Sequence, residues 1–174
     1  INGVLRPYIQ QANPLCSNQL DTNESEGNSV NAIGFAEVRF LKDFKFTSTN
    51  SVSSEETRYT TTTNPWFGQY ASQNGAITVE HDRTWSYNYQ QLLTWHHQFD
   101  LHEVDAMLGH EYYRRRYYVL YGDKTNMYTF PSNDMASAVN TGSTNSYRND
   151  YNTEGWFGRI QYNYDQKYFA SMSY

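Results

Sequence analysis

The chain has a single cysteine, Cys16, among its 174 residues, so no internal disulfide framework can staple it. It also has no run approaching roughly eighteen consecutive apolar residues, which excludes a membrane-spanning helix but not a span built from strands. A basic stripe is missing too. Lys and Arg number 13 against 18 Asp and Glu, a net charge of -5, so nucleic acid is not an expected partner. There is no Ser-His-Asp elbow, no phosphate-cradling glycine loop and no CxxC pair, the short motifs that would point to hydrolysis, nucleotide binding or redox chemistry. Finally, the chain starts at Ile1 with neither an initiator Met nor a signal peptide, and stops at Tyr174 inside an alternating run. The expectation is a piece of a longer protein.

What the chain has in quantity is aromatic rings: 17 Tyr, 9 Phe and 4 Trp in a sequence whose mean hydropathy is only -0.85. Their placement is periodic. Every second residue from Ile77 reads Ile77, Val79, His81, Arg83, Trp85, Tyr87, Tyr89, Gln91, Leu93, Trp95, His97 and Phe99, apolar or aromatic through its middle. The interleaved set from Thr78 to Gln98 is polar except for Leu92. A period of two puts successive side chains on opposite faces of a strand. This strand is far longer than the roughly 5–6 residues usual in soluble domains.

One greasy and one wet face fit either a soluble sheet on a core or a membrane barrel with lipid outside and water inside. Trp85 and Trp95 share a face, and the residues between them climb roughly 25 Å at about 3.3 Å per residue and about 40° tilt. That is the height of an outer-membrane apolar band with aromatic edges. Cross-strand ring pairs on a soluble sheet account for the spacing equally well.

The connections separate the two. Residues 1–30 read as an irregular loop segment, and strands are expected from Asn31 onward. Tight turns are expected at Leu41 to Asp43, at Asp100-Leu101 and at Asp165 to Lys167. Longer excursions are expected over Trp66 to Gly75, after the strand-ending Asn64-Pro65, and over Gly122 to Asn145. Short turns at one end and long loops at the other make an up-and-down antiparallel meander of about six long strands, the barrel pattern. The predicted fold class is therefore all-β, with residues 31–174 forming part of a transmembrane barrel.

Several segments also look familiar as a set. "LTWHHQFDLHEVDAMLGHEYY", Leu93 to Tyr113, with its core Leu108, Gly109, His110 and Glu111, resembles a hairpin of SusC/RagA-type TonB-dependent outer-membrane transporters. "GWFGRIQYNYDQKYFASMSY" is similar to that family's paired strands around a Tyr-Asp-x-Lys-Tyr turn, matched by Tyr164, Asp165, Lys167 and Tyr168. Asn13-Pro14-Leu15 and Phe40 to Phe46 fit the preceding portion. The resemblance implies a large barrel of about 22 strands, with plug and remaining strands outside this chain. It also implies nutrient uptake of oligosaccharides or peptides at the bacterial outer membrane. The implied partners are a SusD/RagB-type surface lipoprotein, TonB, and outer-membrane lipid including lipopolysaccharide.

Candidate residues sort by face. Glu80, Asp82, Glu103, Asp105, Glu111 and Arg159 are expected to line the polar lumen as a solvated wall rather than as paired catalytic acids, and no enzymatic activity is expected. Arg114 and Arg116 share the outward face just past the apolar band, where guanidinium forks could meet lipid phosphate or simply be solvated. Trp66, Phe67, Tyr70, Tyr128 and Phe130 in the long loops are candidates for stacking on substrate or on a lid protein, or for packing on neighbouring loops. His96, His97, His102 and His110 with Glu103, Asp105 and Glu111 are metal-ligand types, but the alternation scatters the histidines over both faces. No metal site and no cofactor are expected. The alternative reading is a soluble β-rich glycan-binding module.

Overall fold

The computed structural model describes residues 18–174. Cys16 and Asn13-Pro14-Leu15 lie outside the described residues. Six strands follow in order: β1 Thr22–Phe40, β2 Phe44–Thr63, β3 Ala76–Phe99, β4 His102–Met127, β5 Ala138–Tyr164 and β6 Tyr168–Ser173. They form one sheet in the order β1-β2-β3-β4-β5-β6, so every strand pairs with its sequence neighbour in an antiparallel meander. The register of the last pair sets Ile160 against Met172, Tyr162 against Ala170 and Tyr164 against Tyr168, like face against like face.

The three tight connections fall where the turn residues place them. Leu41, Lys42, Asp100, Asp165 and Gln166 all take left-handed backbone, with φ between 47° and 63°. Positive φ at hairpin tips matches the right-handed twist of the flanking strands.

Two boundaries differ from the sequence expectation. Residues 22–30 belong to β1 rather than to a loop, because pairing with β2 gives that backbone its hydrogen bonds whatever its side chains. The expected loop over 122–145 shrinks to the residues between Met127 and Ala138, with a 3₁₀ turn at Met135–Ser137. Asn, Ser and Thr are loop formers by composition only when no neighbouring strand claims their backbone.

The chain divides into two compact units. One holds residues 18–29, Glu55–Arg83 and Tyr117–Asn149. Its centre is a small apolar cluster of Ile77, Met127 and Ala138, all nearly solvent-free, against which Val79, Phe130 and Met135 pack. The other unit holds Val30–Ser54, Thr84–Arg116 and Asp150–Tyr174. Here the large apolar side chains stay on the surface: Trp85 is 44% exposed, Leu108 50%, Trp156 62% and Met172 72%. No second layer covers them among the described residues, which form a single sheet. No described helix is long and apolar enough to cross a membrane.

Candidate functional site

In the second unit the alternation produces two chemically distinct faces. The apolar face carries a chain of rings near the tight turns: Phe40 stacks on Phe44 at 5.4 Å, Trp95 on His97 at 5.8 Å and Phe99 on His102 at 5.1 Å. Above them Phe44, Leu93, Trp95, Leu108, Ile160 and Met172 line an apolar groove of about 570 Å³. Two histidines on this face meet carboxylates. His97 Nδ1 lies 2.8 Å from Asp43, and His110 Nε2 2.9 Å from Glu154, with the His110 ring against Trp156 at 4.4 Å.

The opposite face is polar. Asn88 donates to Glu111 at 3.2 Å, Asn163 to Glu103 at 2.9 Å, and His96 Nδ1 meets Asp105 at 2.8 Å. A recess of about 490 Å³ is lined by Arg39, Lys45, His96, Asp105, Arg159 and Gln161, among others. His96 lies one residue beyond Trp95, outside the apolar band. The hydrogen bond it donates to Asp105 raises its pKa above the ordinary 6.5, against the opposing effect of burial. Phe157 lies over Gly109 on this face, with its ring where a Cβ would stand.

In the first unit, Tyr117 donates its hydroxyl to Asp82 at 2.8 Å and its ring meets Tyr147 edge-on at 6.2 Å. Tyr121 donates to Asp123, which also accepts the backbone N–H of Ser143 at 2.9 Å. Glu80 shares the parity of Asp82 and is half-buried.

The predicted lumen residues Glu103, Asp105, Glu111 and Arg159 therefore share the polar face of one unit, while Asp82 and Glu80 belong to the other. Arg114 and Arg116 converge on Asp150, at 3.7 and 3.5 Å. Asp150 has the outward parity of Trp156, so the two arginines share a face as expected but bring a carboxylate with them. In the loops, Trp66 packs edge-on against Phe130 at 5.3 Å, and Tyr128 donates its hydroxyl to the Ala136 carbonyl at 2.7 Å. The Trp66 and Phe67 backbone N–H groups both donate to Asn64 Oδ1, and the Tyr70 carbonyl accepts from Gln73 and Gly75. Trp66 and Tyr128 keep more than half their surface exposed, at 56% and 69%.

One grouping escaped the sequence reading and another was set aside there. Tyr113 and Tyr117 on β4 meet Tyr151 and Tyr147 respectively, each at 6.2 Å and each pair within its own unit. Counting odd positions along β4 past Glu111 would have found the first two. The second is the gathering of His96, Glu103 and Asp105, weighed from the sequence as ligand types and set aside because the histidines scatter over both faces. It was legible only by folding the hairpin about Asp100-Leu101 and pairing position 96 with 105.

No family model matches the chain, and no curated protein matches it. Solved structures do. A chain of the RagAB peptide transporter superposes with a TM-score of 0.82 at 19% identity, covering 92% of this chain and 18% of its own length. The RagAB peptide importer in the open-open state gives 0.82 and 19% over 99% of this chain and 20% of that one. The closed-closed state gives 0.81 and 19% over 89% and 18%. The chain thus has the fold of a stretch of these transporter chains and spans about a fifth of their length.

Proposed function

We propose that this chain is six consecutive wall strands of a TonB-dependent outer-membrane importer of the SusC/RagA type. The observation that carries the reading is the separation of faces in the second unit, with Trp85, Leu108, Trp156 and Met172 exposed on one side and the His96, Glu103 and Glu111 groups on the other. A soluble sheet in water has no physical reason to leave so much aromatic surface open. Lipid supplies the missing layer. The likeness in fold to RagAB chains supports the same assignment.

On this reading β1 and β6 continue into further strands that close the barrel, since an open sheet edge is not tolerated in hydrocarbon. The polar face lines a lumen through which peptides or oligosaccharides pass, and the chain contributes no catalytic step. A surface lipoprotein of the SusD/RagB type covers the loop end, where Trp66 and Tyr128 are offered to a lid or to cargo. TonB acts through parts of the protein outside this chain. Arg114 and Arg116 face lipopolysaccharide phosphates at the rim.

The test is a pair of arginine scans on the intact protein. Leu108→Arg and Leu93→Arg put a charge on the lipid face, where one near the bilayer middle costs about 2–4 kcal/mol. Both are expected to lower the amount of folded protein in the outer-membrane fraction. Thr94→Arg, on the polar face, is expected to assemble normally. Equal assembly of all three, or recovery of the intact protein as a detergent-free soluble monomer, overturns the assignment in favour of a soluble β-rich module.

A further inference from the structure

One cluster left unused by a transport role gathers ligand-type atoms at a single point. His96 on β3 stands beside Asp105 on β4, on the polar face of the hairpin closed by Asp100 and Leu101, with Glu103 two residues from Asp105 on the same strand and face. One nitrogen or carboxylate oxygen from each residue lies within 4.8 Å of the others.

The distances have a pattern. His96 Nδ1 is 2.8 Å from Asp105 Oδ1, a hydrogen bond that holds the proton on Nδ1 and leaves Nε2 with its lone pair free to coordinate. His96 Nε2 is 4.0 Å from Glu103 Oε1. That is too long for a hydrogen bond, and it is near the ~3.4 Å that separates two ligands on a tetrahedral ion with bonds of about 2.0–2.1 Å. Glu103 is held from behind, because Asn163 Nδ2 donates to its other oxygen at 2.9 Å. A carboxylate on one imidazole nitrogen and an amide on the liganding carboxylate are the outer contacts that orient metal ligands. Asn163 Oδ1 beside them is buried with no hydrogen-bond partner, so acceptor capacity here exceeds the donors that meet it.

The geometry points to a binding site for a divalent transition-metal ion of the zinc class, ligated by His96 Nε2 and Glu103, with Asp105 holding the imidazole through Nδ1 and water completing the shell. The Glu103 and Asp105 carboxylates together offset the ion's charge. The imidazole nitrogen selects zinc, cobalt or nickel over magnesium and calcium, which take oxygen shells. Lys45 and Arg159 line the adjoining recess and weaken the site by repulsion, although Lys45 leans toward Glu37 at 3.8 Å. The site is contained in one hairpin and its β5 neighbour, so it does not depend on the transport reading.

The experiment titrates the intact purified protein with Co²⁺, following visible absorption, and then displaces the Co²⁺ with Zn²⁺. The expected result is one equivalent of bound Co²⁺, displaced by Zn²⁺ but not by the same concentration of Mg²⁺ or Ca²⁺. His96→Gln and Asp105→Asn should each weaken binding by at least about tenfold. Glu103→Gln preserves the shape held by Asn163 and tests the ligand without disturbing the hairpin, while His110→Gln should change nothing. Binding should fall as protons compete for the imidazole at low pH. Absence of saturable Co²⁺ binding, or saturable binding that His96→Gln and Glu103→Gln leave intact, overturns the proposal.

Discussion

Replacing Gly109 with alanine tests the packing of the polar face. Gly109 is buried, and a Cβ built there would stand 2.2, 2.3 and 2.8 Å from three carbons of the Phe157 ring. No carbon contact survives at those distances, so the ring must swing off the position it covers. Overpacking of this kind costs about 1–3 kcal/mol. The same substitution in an open strand would instead gain about 0.5–1 kcal/mol, because glycine loses the most backbone freedom on folding. The sign of the effect therefore depends on Phe157. In urea unfolding of the intact protein, Gly109→Ala should be destabilising when Phe157 is present and neutral to stabilising in a Phe157→Ala background. The double-mutant cycle should give a coupling of about 1.5–4 kcal/mol. A Gly109→Ala variant as stable as the parent would mean that the ring does not occupy this position, and with it would go the contact between β4 and β5 at Gly109 and Phe157.

Asn64 is 2% exposed, accepts from the N–H groups of Trp66 and Phe67, and donates to Asp21. Asn64→Ala strips these and should cost about 2–4 kcal/mol, seen as faster proteolysis between residues 64 and 75 and altered Trp66 fluorescence. For His96, the Asp105 hydrogen bond raises the pKa above 6.5, so its stabilisation is complete below that value and is lost as pH climbs through the folded-state value. In chelator, the stability difference between wild type and His96→Gln should be larger at about pH 5.5 than at about pH 8.5; a constant difference refutes the pairing. Arg114→Gln with Arg116→Gln should reduce lipopolysaccharide retained on the purified protein, and unchanged retention would show that Asp150 satisfies both guanidinium groups by itself.

The period of two in Ile77 to Phe99 was enough to place β3, and the turn chemistry at 41–43, 100–101 and 165–167 located the hairpins, because both signals are local. Residues 22–30 were not legible in the same way. Their side chains carry no apolar pattern, and their strand state comes from the β2 backbone beside them. Partnerships were the least visible level. Nothing local to His110 announces Glu154, and the Arg114–Asp150 contact joins positions that only the register brings together. The candidate face assignments, by contrast, followed from parity alone and needed no knowledge of partners.

That same parity makes these strands unforgiving of changes in length. Deleting one residue within β3, for instance at Tyr87, would carry the side chains after it on that strand to the opposite medium, setting Leu93 in water and Thr94 in grease. Length variation in proteins built this way is therefore confined to the tips of hairpins or comes in pairs, and homologous strands can drift far in composition while keeping their count. A register preserved under heavy substitution is one way a fold can outlast the resemblance of its letters.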